Sequence, residues 1–250
     1  MAENNGVLVV IPARLASTRL PRKPLLSIAG QPMIAHVLAR AREAAVGPVI
    51  VATDSSEIAD VIGREGGTAV MTRSDHPSGS DRVYEAVESY DPEKRFKIIV
   101  NLQGDLPLIE PRAILAVADL MASGPADIGT LVNEITEEHE VNDANVVKAV
   151  LSPLGGNRFR AIYFTRAAAP TGEGPLYHHV GIYAYRRTAL TQFIGLPPSV
   201  LEKREKLEQL RALEADMRID AALVDIAPFG VDTPADLQRV RDVMGDAQPV

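Results

Sequence analysis

Three stretches of the sequence carry side chains suited to a phosphorylated substrate. The first is Pro12-Ala13-Arg14-Leu15-Ala16-Ser17-Thr18-Arg19-Leu20-Pro21-Arg22-Lys23-Pro24, where four cations fall within ten residues and no acid interrupts them. Ser17, Thr18 and the loop amides can donate to phosphate oxygens, while Arg19 and Lys23 supply charge. Pro21 and Pro24 stiffen the loop, so less entropy is lost when an anion is bound. The plainer alternative is a basic surface loop paired with acids elsewhere. The second stretch is Gln103-Gly104-Asp105-Leu106-Pro107, an acid beside a glycine after an apolar run. A hard cation such as magnesium needs only one or two carboxylates when phosphates complete its shell. Asp105 suits that role and a structural one equally. The third is Gly230-Val231-Asp232-Thr233-Pro234. Asp232 is the candidate second carboxylate, although on spacing alone it reads as a helix cap before Pro234.

The elements that would position these stretches alternate. Gly6–Ile11 is apolar throughout, as in a strand buried on both faces. Gln31–Val46 has apolar residues at helical spacing. Val49–Thr53, Thr68–Met71 and Ile98–Leu102 read as strands. Ser55–Glu65, Asp81–Tyr90 and Pro111 to about Ala122 read as helices, the first with Asp54 and Glu57 as its cap pair. Strand–helix alternation implies a parallel sheet with helices on both faces. Function in such sheets lies beyond the carboxyl ends of the strands. Strands then follow more closely at Ile128–Asn133, Val146–Leu151, Arg160–Phe164, His179–Tyr185 and Ile219–Asp225. Ser199 and Glu202 form a capping box for a charged helix through about Ala215, and Pro234 opens a last helix, Ala235–Val243. The expectation is one α/β domain over residues 1–250, with a smaller mixed sheet inserted at about 128–190.

Composition narrows the chemistry. The 250 residues carry 26 Lys+Arg and 33 Asp+Glu, a formal net charge of −7, which disfavours nucleic-acid and anionic-membrane partners. Cysteine is absent, which excludes disulfides, thiol catalysis and Cys-ligated zinc. The first apolar run is too short for a secretion signal or a membrane span, so the expected location is cytoplasmic. The first loop contains neither Gly-x-x-x-x-Gly-Lys-Ser/Thr nor Gly-x-Gly-x-x-Gly. That argues against a P-loop NTPase and a dinucleotide-binding dehydrogenase.

Five segments occur in order: IPARLASTRLPRKPL (Ile11–Leu25), NLQGDLP (Asn101–Pro107), HVGIYAY (His179–Tyr185), LEQLR (Leu207–Arg211) and GVDTPAD (Gly230–Asp236). Together they resemble the 3-deoxy-manno-octulosonate cytidylyltransferase (CMP-Kdo synthetase) family from Val7 to about Val243. The resemblance implies a Rossmann-like nucleotidyltransferase fold and a homodimer. It implies coupling of CTP to the sugar acid Kdo with Mg²⁺, giving CMP-Kdo and diphosphate for lipopolysaccharide synthesis. By the same resemblance Arg14, Ser17, Thr18, Arg19 and Lys23 hold the triphosphate. Asp105 and Asp232 hold the metal and, with Arg19 and Lys23, form the catalytic set. Arg73, Ser78 and Gly79 match the segment near the cytidine. Gln103, Arg166, His179, Tyr183, Glu208 and Gln209 match positions near the sugar. The resemblance overrides the reading of Asp232 as a cap.

Several of these residues have plainer readings. Glu208 lies one turn from Arg204 and Arg211, as on a solvated helix face. His178 and His179 are neighbours on a strand and point to opposite faces, so they do not easily share one metal. Tyr183 shares a face with His179, which suits a pocket or a core. Arg166 follows a strand end and suits function or a surface ion pair. Leu207, Leu210 and Leu213 read as core. Five positions depart from the family pattern: Arg22 for Gly in the basic loop, Leu106 for Glu after Gln-Gly-Asp, His178 for a cation, Ala144 for Pro and, mildly, Ser80 for Thr. Arg22 bears on the loop's backbone, because glycine tolerates positive φ, and it offers another cation for phosphate. The alternatives to Kdo are another ulosonic acid, such as a modified Kdo or a sialic acid, and nucleotide binding without catalysis.

Overall fold

The apolar run after Gly6 becomes β1 (Val7–Ala13), with Leu8 to Ile11 fully buried. The computed structural model describes residues 6–16, 20–225 and 229–245. The chain divides into two compact units, Met1–Leu115 with Pro228–Val250, and Ala116–Ala227.

In the first unit β1 leads through a short antiparallel hairpin, β2 (Ser27–Ile28) and β3 (Gln31–Pro32), into α1 (Met33–Glu43). Then follow β4 (Val49–Thr53), α2 (Ser56–Arg64), β5 (Thr68–Met71), α3 (Gly79–Tyr90), β6 (Ile98–Leu102) and the first residues of α4 (Pro111–Ala122), whose residues from Ala116 onward belong to the second unit. The strands lie in the order β5-β4-β1-β6, all parallel. The chain winds from β1 outward to β5, then crosses back to place β6 on the other side of β1. That reversal makes the carboxyl ends of β1 and β6 a topological switch point, where loops diverge and leave a crevice.

Two expected helix starts need correction. α2 is capped by Ser55, whose hydroxyl accepts from Ile58 N at 3.3 Å, and not by Asp54. Asp54 instead accepts from the buried Arg82 guanidinium at 3.1 Å. α3 begins at Gly79, two residues before Asp81, because the Ser78 hydroxyl accepts from Asp81 N at 3.3 Å.

The first unit also takes the last helix, Pro234–Met244, whose N-cap Thr233 forms a capping box with Asp236. Its Leu237 and Val240 pack with Leu20, Ile28, Met33 and Val231. Arg241 donates to Ser27 O at 2.9 Å. This satellite core anchors Leu20, three residues before Lys23, and Val231, the residue before Asp232.

The second unit contains β7 (Ile128–Glu134), α5 (Glu138–Val141), β8 (Lys148–Gly155), β9 (Arg158–Thr165) and β10 (Tyr177–Arg186). It continues with α6 (Arg187–Gly195), α7 (Val200–Glu205), α8 (Leu210–Glu214) and β11 (Ile219–Leu223). Its strands lie in the order β10-β7-β11-β9-β8, where β7 and β11 run parallel and the other neighbours antiparallel. β8 also pairs with β10 at Lys148–His178, so the two end strands of that order meet there. The segment 128–190, expected to hold a mixed sheet, falls within this unit. Gly129 on β7 lets Met121 of α4 approach closely, since a Cβ there would lie 2.8 Å from the Met121 sulfur.

One expected helix is two. The capping box of Ser199 and Glu202 is present, but α7 stops at Glu205 and Lys206 turns left-handed (φ 58°, ψ 45°). Glu202 then accepts from Arg211 Nε at 2.8 Å, and this pairing folds α8 back on α7. Leu207 and Leu210 are buried as expected, whereas Leu213 is only half-buried. α6 was not expected from the sequence, although Ala189, Leu190 and Phe193 form its buried face. Among the described residues no helix is long and apolar enough to cross a membrane.

Candidate active site

The crevice beyond β1 and β6 is a cavity of about 330 Å³ in the first unit. Arg14, Lys23, Ser78, Gly79, Gln103, Asp105 and Asp232 all line it. Seven residues predicted from scattered segments therefore meet in one place. Ser17, Thr18 and Arg19 lie outside the described residues.

The local fold brings the two acids together. Asp105 follows Gly104, where a Cβ would lie 2.8 Å from Pro12 O, so only glycine lets β6 exit this close to β1. Val231 N donates to Asp105 O at 2.9 Å, tying the segment before the last helix to the end of β6. Lys23, at the start of a 3-10 turn (Lys23–Leu25), completes the link. Its ammonium donates to Asp105 Oδ2 at 2.8 Å, Val231 O at 2.9 Å and Asp232 Oδ1 at 3.1 Å. Burial alone would lower the Lys23 pKa, but the charges and hydrogen bonds of Asp105 and Asp232 outweigh it and raise the value. Asp232 is thus not the helix cap: Thr233 takes that place, and the Asp232 carboxylate faces Lys23.

A second wall of the cavity is the start of α3, whose positive end suits an anion. Ser78 donates to Asp81 Oδ2 at 2.7 Å. Gln103 donates to Asn101 Oδ1 at 3.2 Å. Sequence reasoning placed Gln103 near the sugar, and the fold places it among the residues expected to hold the nucleotide. Two further lining residues escaped that reasoning, His76 and Arg82. Both are buried. Arg82 donates to Thr72 Oγ1 at 2.6 Å, and His76 Nε2 pairs with Glu85. Glu85 also accepts from Arg73 N at 3.2 Å and from Arg73 Nε at 3.3 Å. The Arg73 side chain is exposed and does not line the cavity.

The departures in this unit have structural roles. Arg22 sits in the left-handed region (φ 59°, ψ 26°), the conformation that favours glycine. Its guanidinium reaches Glu57 on α2, with Nη1 donating to Oε1 at 3.2 Å, and not the cavity. Leu106 is buried and lies 3.7 Å from where a Gly230 Cβ would stand.

The remaining predicted residues belong to the second unit. The His179 ring packs between Phe164 (centroids 5.1 Å apart) and Tyr183 (5.3 Å). The bulge between Val180 and Tyr183 does not separate His179 from Tyr183. The Thr130 hydroxyl donates to Ile182 O at 2.8 Å, so its oxygen is left to accept from His179 Nε2 at 2.9 Å. That assigns the proton to Nε2 and leaves Nδ1 as an acceptor. Burial, then the neighbouring His178, pushes the His179 pKa down to about 3. Burial, with Tyr185 and Glu208, raises the Tyr183 phenol well above its ordinary value. Both side chains are therefore neutral at physiological pH. Burial also lowers the pKa of His178, which faces the fully buried Lys148 across the strands.

Glu208 and Gln209 lie in the corner between α7 and α8. Arg211 Nη2 stands 3.7 Å from Glu208 Oε1, and its ion pair with Glu202 is largely buried. Glu208 is thus half-buried in this corner, and not on a fully solvated helix face. Gln209 Nε2 is buried and has no hydrogen-bond partner among the described residues. Arg166 Nε donates to Glu205 O at 3.0 Å and Nη1 to Ala144 O at 2.8 Å.

Known proteins resemble the chain over most of its length. A cytidylyltransferase family model matches residues 8–219. A 3-deoxy-manno-octulosonate cytidylyltransferase of Rhodopseudomonas palustris (strain BisB18) is 61% identical over 237 residues, covering 95% of this chain and 97% of the relative. One from Azorhizobium caulinodans is 61% identical over 240 residues, covering 96% of each. The solved structure of a CMP:2-keto-3-deoxy-manno-octonic acid synthetase complexed with CTP superposes with a TM-score of 0.88 at 40% identity, covering 96% of this chain and 98% of that one. A cytidylyltransferase from Leptospira borgpetersenii shares the fold alone, with a TM-score of 0.63 at 16% identity over 98% of this chain and 88% of that one. The chain belongs to the 3-deoxy-manno-octulosonate cytidylyltransferase family.

Proposed function

We propose that the protein couples CTP to 3-deoxy-D-manno-octulosonate, giving CMP-Kdo and diphosphate and so activating Kdo for lipopolysaccharide synthesis. The observation that carries this reading is the convergence of Lys23, Asp105 and Asp232 at the β1/β6 switch point, in a chain some 60% identical to enzymes so named. The anomeric hydroxyl of Kdo attacks the α-phosphorus of CTP, and diphosphate leaves in line. Catalysis of such a step is mainly positioning and charge neutralisation. Arg14, Arg19 and Lys23 would offset charge on the triphosphate, with Ser17 and Thr18 as further donors. The start of α3, with Ser78 and Gly79, would face the nucleotide beside Gln103, and Arg73 would steady that segment through Glu85.

The donor set fits magnesium. Two carboxylates converge on one point, and a cation, the Lys23 ammonium, already occupies it. Asp105 and Asp232 would hold the ion, and phosphates would complete its shell. Bound magnesium would polarise the phosphoryl group under attack.

The second unit's residues suit a sugar acid. Neutral His179 offers an acceptor, Tyr183 a hydroxyl, Gln209 Nε2 a donor and Glu208 a carboxylate. Arg166 would supply a cation for the sugar carboxylate. We also propose a cytoplasmic homodimer, for which the exposed Leu154 and Ile162 on β8 and β9 offer apolar surface.

The test is diphosphate release from CTP and Mg²⁺ with Kdo, with N-acetylneuraminate, or with neither. Release with Kdo alone supports the reading. Release with neuraminate alone assigns a different ulosonic acid. Retained CTP binding without release would mean a nucleotide-binding protein without catalysis.

A further inference from the structure

We infer that Lys23 is a placeholder: its ammonium stands between Asp105 and Asp232 until a nucleoside triphosphate draws it away, so that the free ion is excluded and metal and nucleotide enter together. The inference rests on the reading above that these two carboxylates hold the ion.

An ammonium has three hydrogens, and Lys23 has an acceptor for each: Asp105 Oδ2, Val231 O and Asp232 Oδ1, all within 3.1 Å. The side chain is only 16% exposed, so this arrangement is poorly screened by water. A divalent ion that takes the same two oxygens, Asp105 Oδ2 and Asp232 Oδ1, at the roughly 2.1 Å reach of magnesium to oxygen, would enter the region that Nζ fills. Two cations there repel one another.

The free ion meets a second obstacle. Among the described residues no group of three His, Asp or Glu side chains converges to form a metal cage. Two carboxylates leave most of an octahedral shell to other donors. A triphosphate removes both obstacles, because its oxygens accept the Lys23 ammonium and also ligate the ion. The exchange needs only side-chain rotation. Lys23 N donates to Leu20 O at 3.1 Å and Leu26 N to Lys23 O at 3.1 Å, so the backbone is fixed while the four-carbon stem can turn. The same ammonium would keep two like-charged carboxylates together before the ion arrives. Lys23 is then a positioning residue for the acids as well as a phosphate contact.

The experiment titrates Mn²⁺, as a paramagnetic substitute for magnesium, into the intact nucleotide-free protein and follows it by electron paramagnetic resonance. Lys23→Met keeps the length and apolar stem and removes the charge. Its Mn²⁺ affinity should exceed that of the wild type by about tenfold or more. Adding CTP without sugar acid should strengthen Mn²⁺ binding more in the wild type than in Lys23→Met, because only the wild type has an ammonium to relocate. Lys23→Met binding Mn²⁺ no more tightly than the wild type overturns the inference. Should that variant fold poorly, the melting temperature of Lys23→Gln gives a second readout: Mn²⁺ should raise it more than it raises the wild type's, and an equal or smaller rise overturns the inference. Asp105→Asn, made in the Lys23→Met background where the free ion binds, separates the metal reading from the role of Lys23. Loss of Mn²⁺ binding there supports the metal reading, and unchanged binding refutes that reading whatever Lys23 does.

Discussion

His179 should make this protein lose stability in mild acid, and the amount follows from its surroundings. Buried against Phe164 and Tyr183 and donating to Thr130, it has a pKa of about 3 in the folded protein against 6.5 in an exposed chain. Between those values the unfolded chain binds a proton that the native state refuses. Stability therefore falls as pH drops from about 6.5 toward 3, and above 6.5 this histidine contributes no pH dependence. At pH 5 the gap is about 1.5 pH units at about 1.4 kcal/mol each, so the loss is about 2 kcal/mol. The perturbation is His179→Gln, whose amide can still donate to Thr130 but does not titrate. Urea unfolding followed by far-ultraviolet circular dichroism at pH 7.5 and pH 5.0 gives the stability change for each protein. The wild type should lose about 2 kcal/mol more than His179→Gln over that interval. The depressed His178 is present in both proteins and cancels in the comparison. Equal losses in the two proteins would refute a neutral, buried His179 and the acceptor role assigned to its Nδ1.

Two other substitutions probe the walls of the cavity. Ser78→Ala removes the cap of α3 and a lining hydroxyl, so urea unfolding should show a loss of about 1 kcal/mol, and CTP binding by calorimetry should weaken. Arg22→Gly relieves a left-handed backbone and gives up only an exposed ion pair with Glu57, so its melting temperature should equal or exceed the wild type's. A drop would show that the Arg22–Glu57 pair governs the loop.

What was legible in the sequence follows the range of the forces involved. Val49–Thr53 and Ile98–Leu102 are strands at the residues expected, because strands buried on both faces read as nearly continuous apolar runs, and the half-exposed strand Thr68–Met71 still shows as a short run of Ala, Val and Met. The capping box of Ser199 and Glu202 was readable because it is local, while the break at Lys206 was not, because Arg211 reaches back to Glu202 across the corner. The site shows the same limit. Lys23 meets Asp105 across 82 positions and Asp232 across 209, and no local pattern reports such contacts. Read locally, Asp232 is a helix cap, and only the fold shows Thr233 taking that role. By sequence Arg22 offers a further cation for phosphate, but its guanidinium is held by Glu57, 35 positions away. His76 and Arg82 gave no local signal at all, since a histidine or arginine buried by α3 looks in sequence like one on a surface.

The most direct test of the central claim is ³¹P nuclear magnetic resonance of CTP, Kdo and Mg²⁺ incubated with the wild type and with Asp105→Asn. The wild type should convert the three CTP resonances into one phosphodiester signal and free diphosphate, and only when Kdo is present. Asp105→Asn should slow that conversion about 10²–10³-fold. Unchanged CTP in the wild-type sample, or a product formed equally fast by Asp105→Asn, would contradict it.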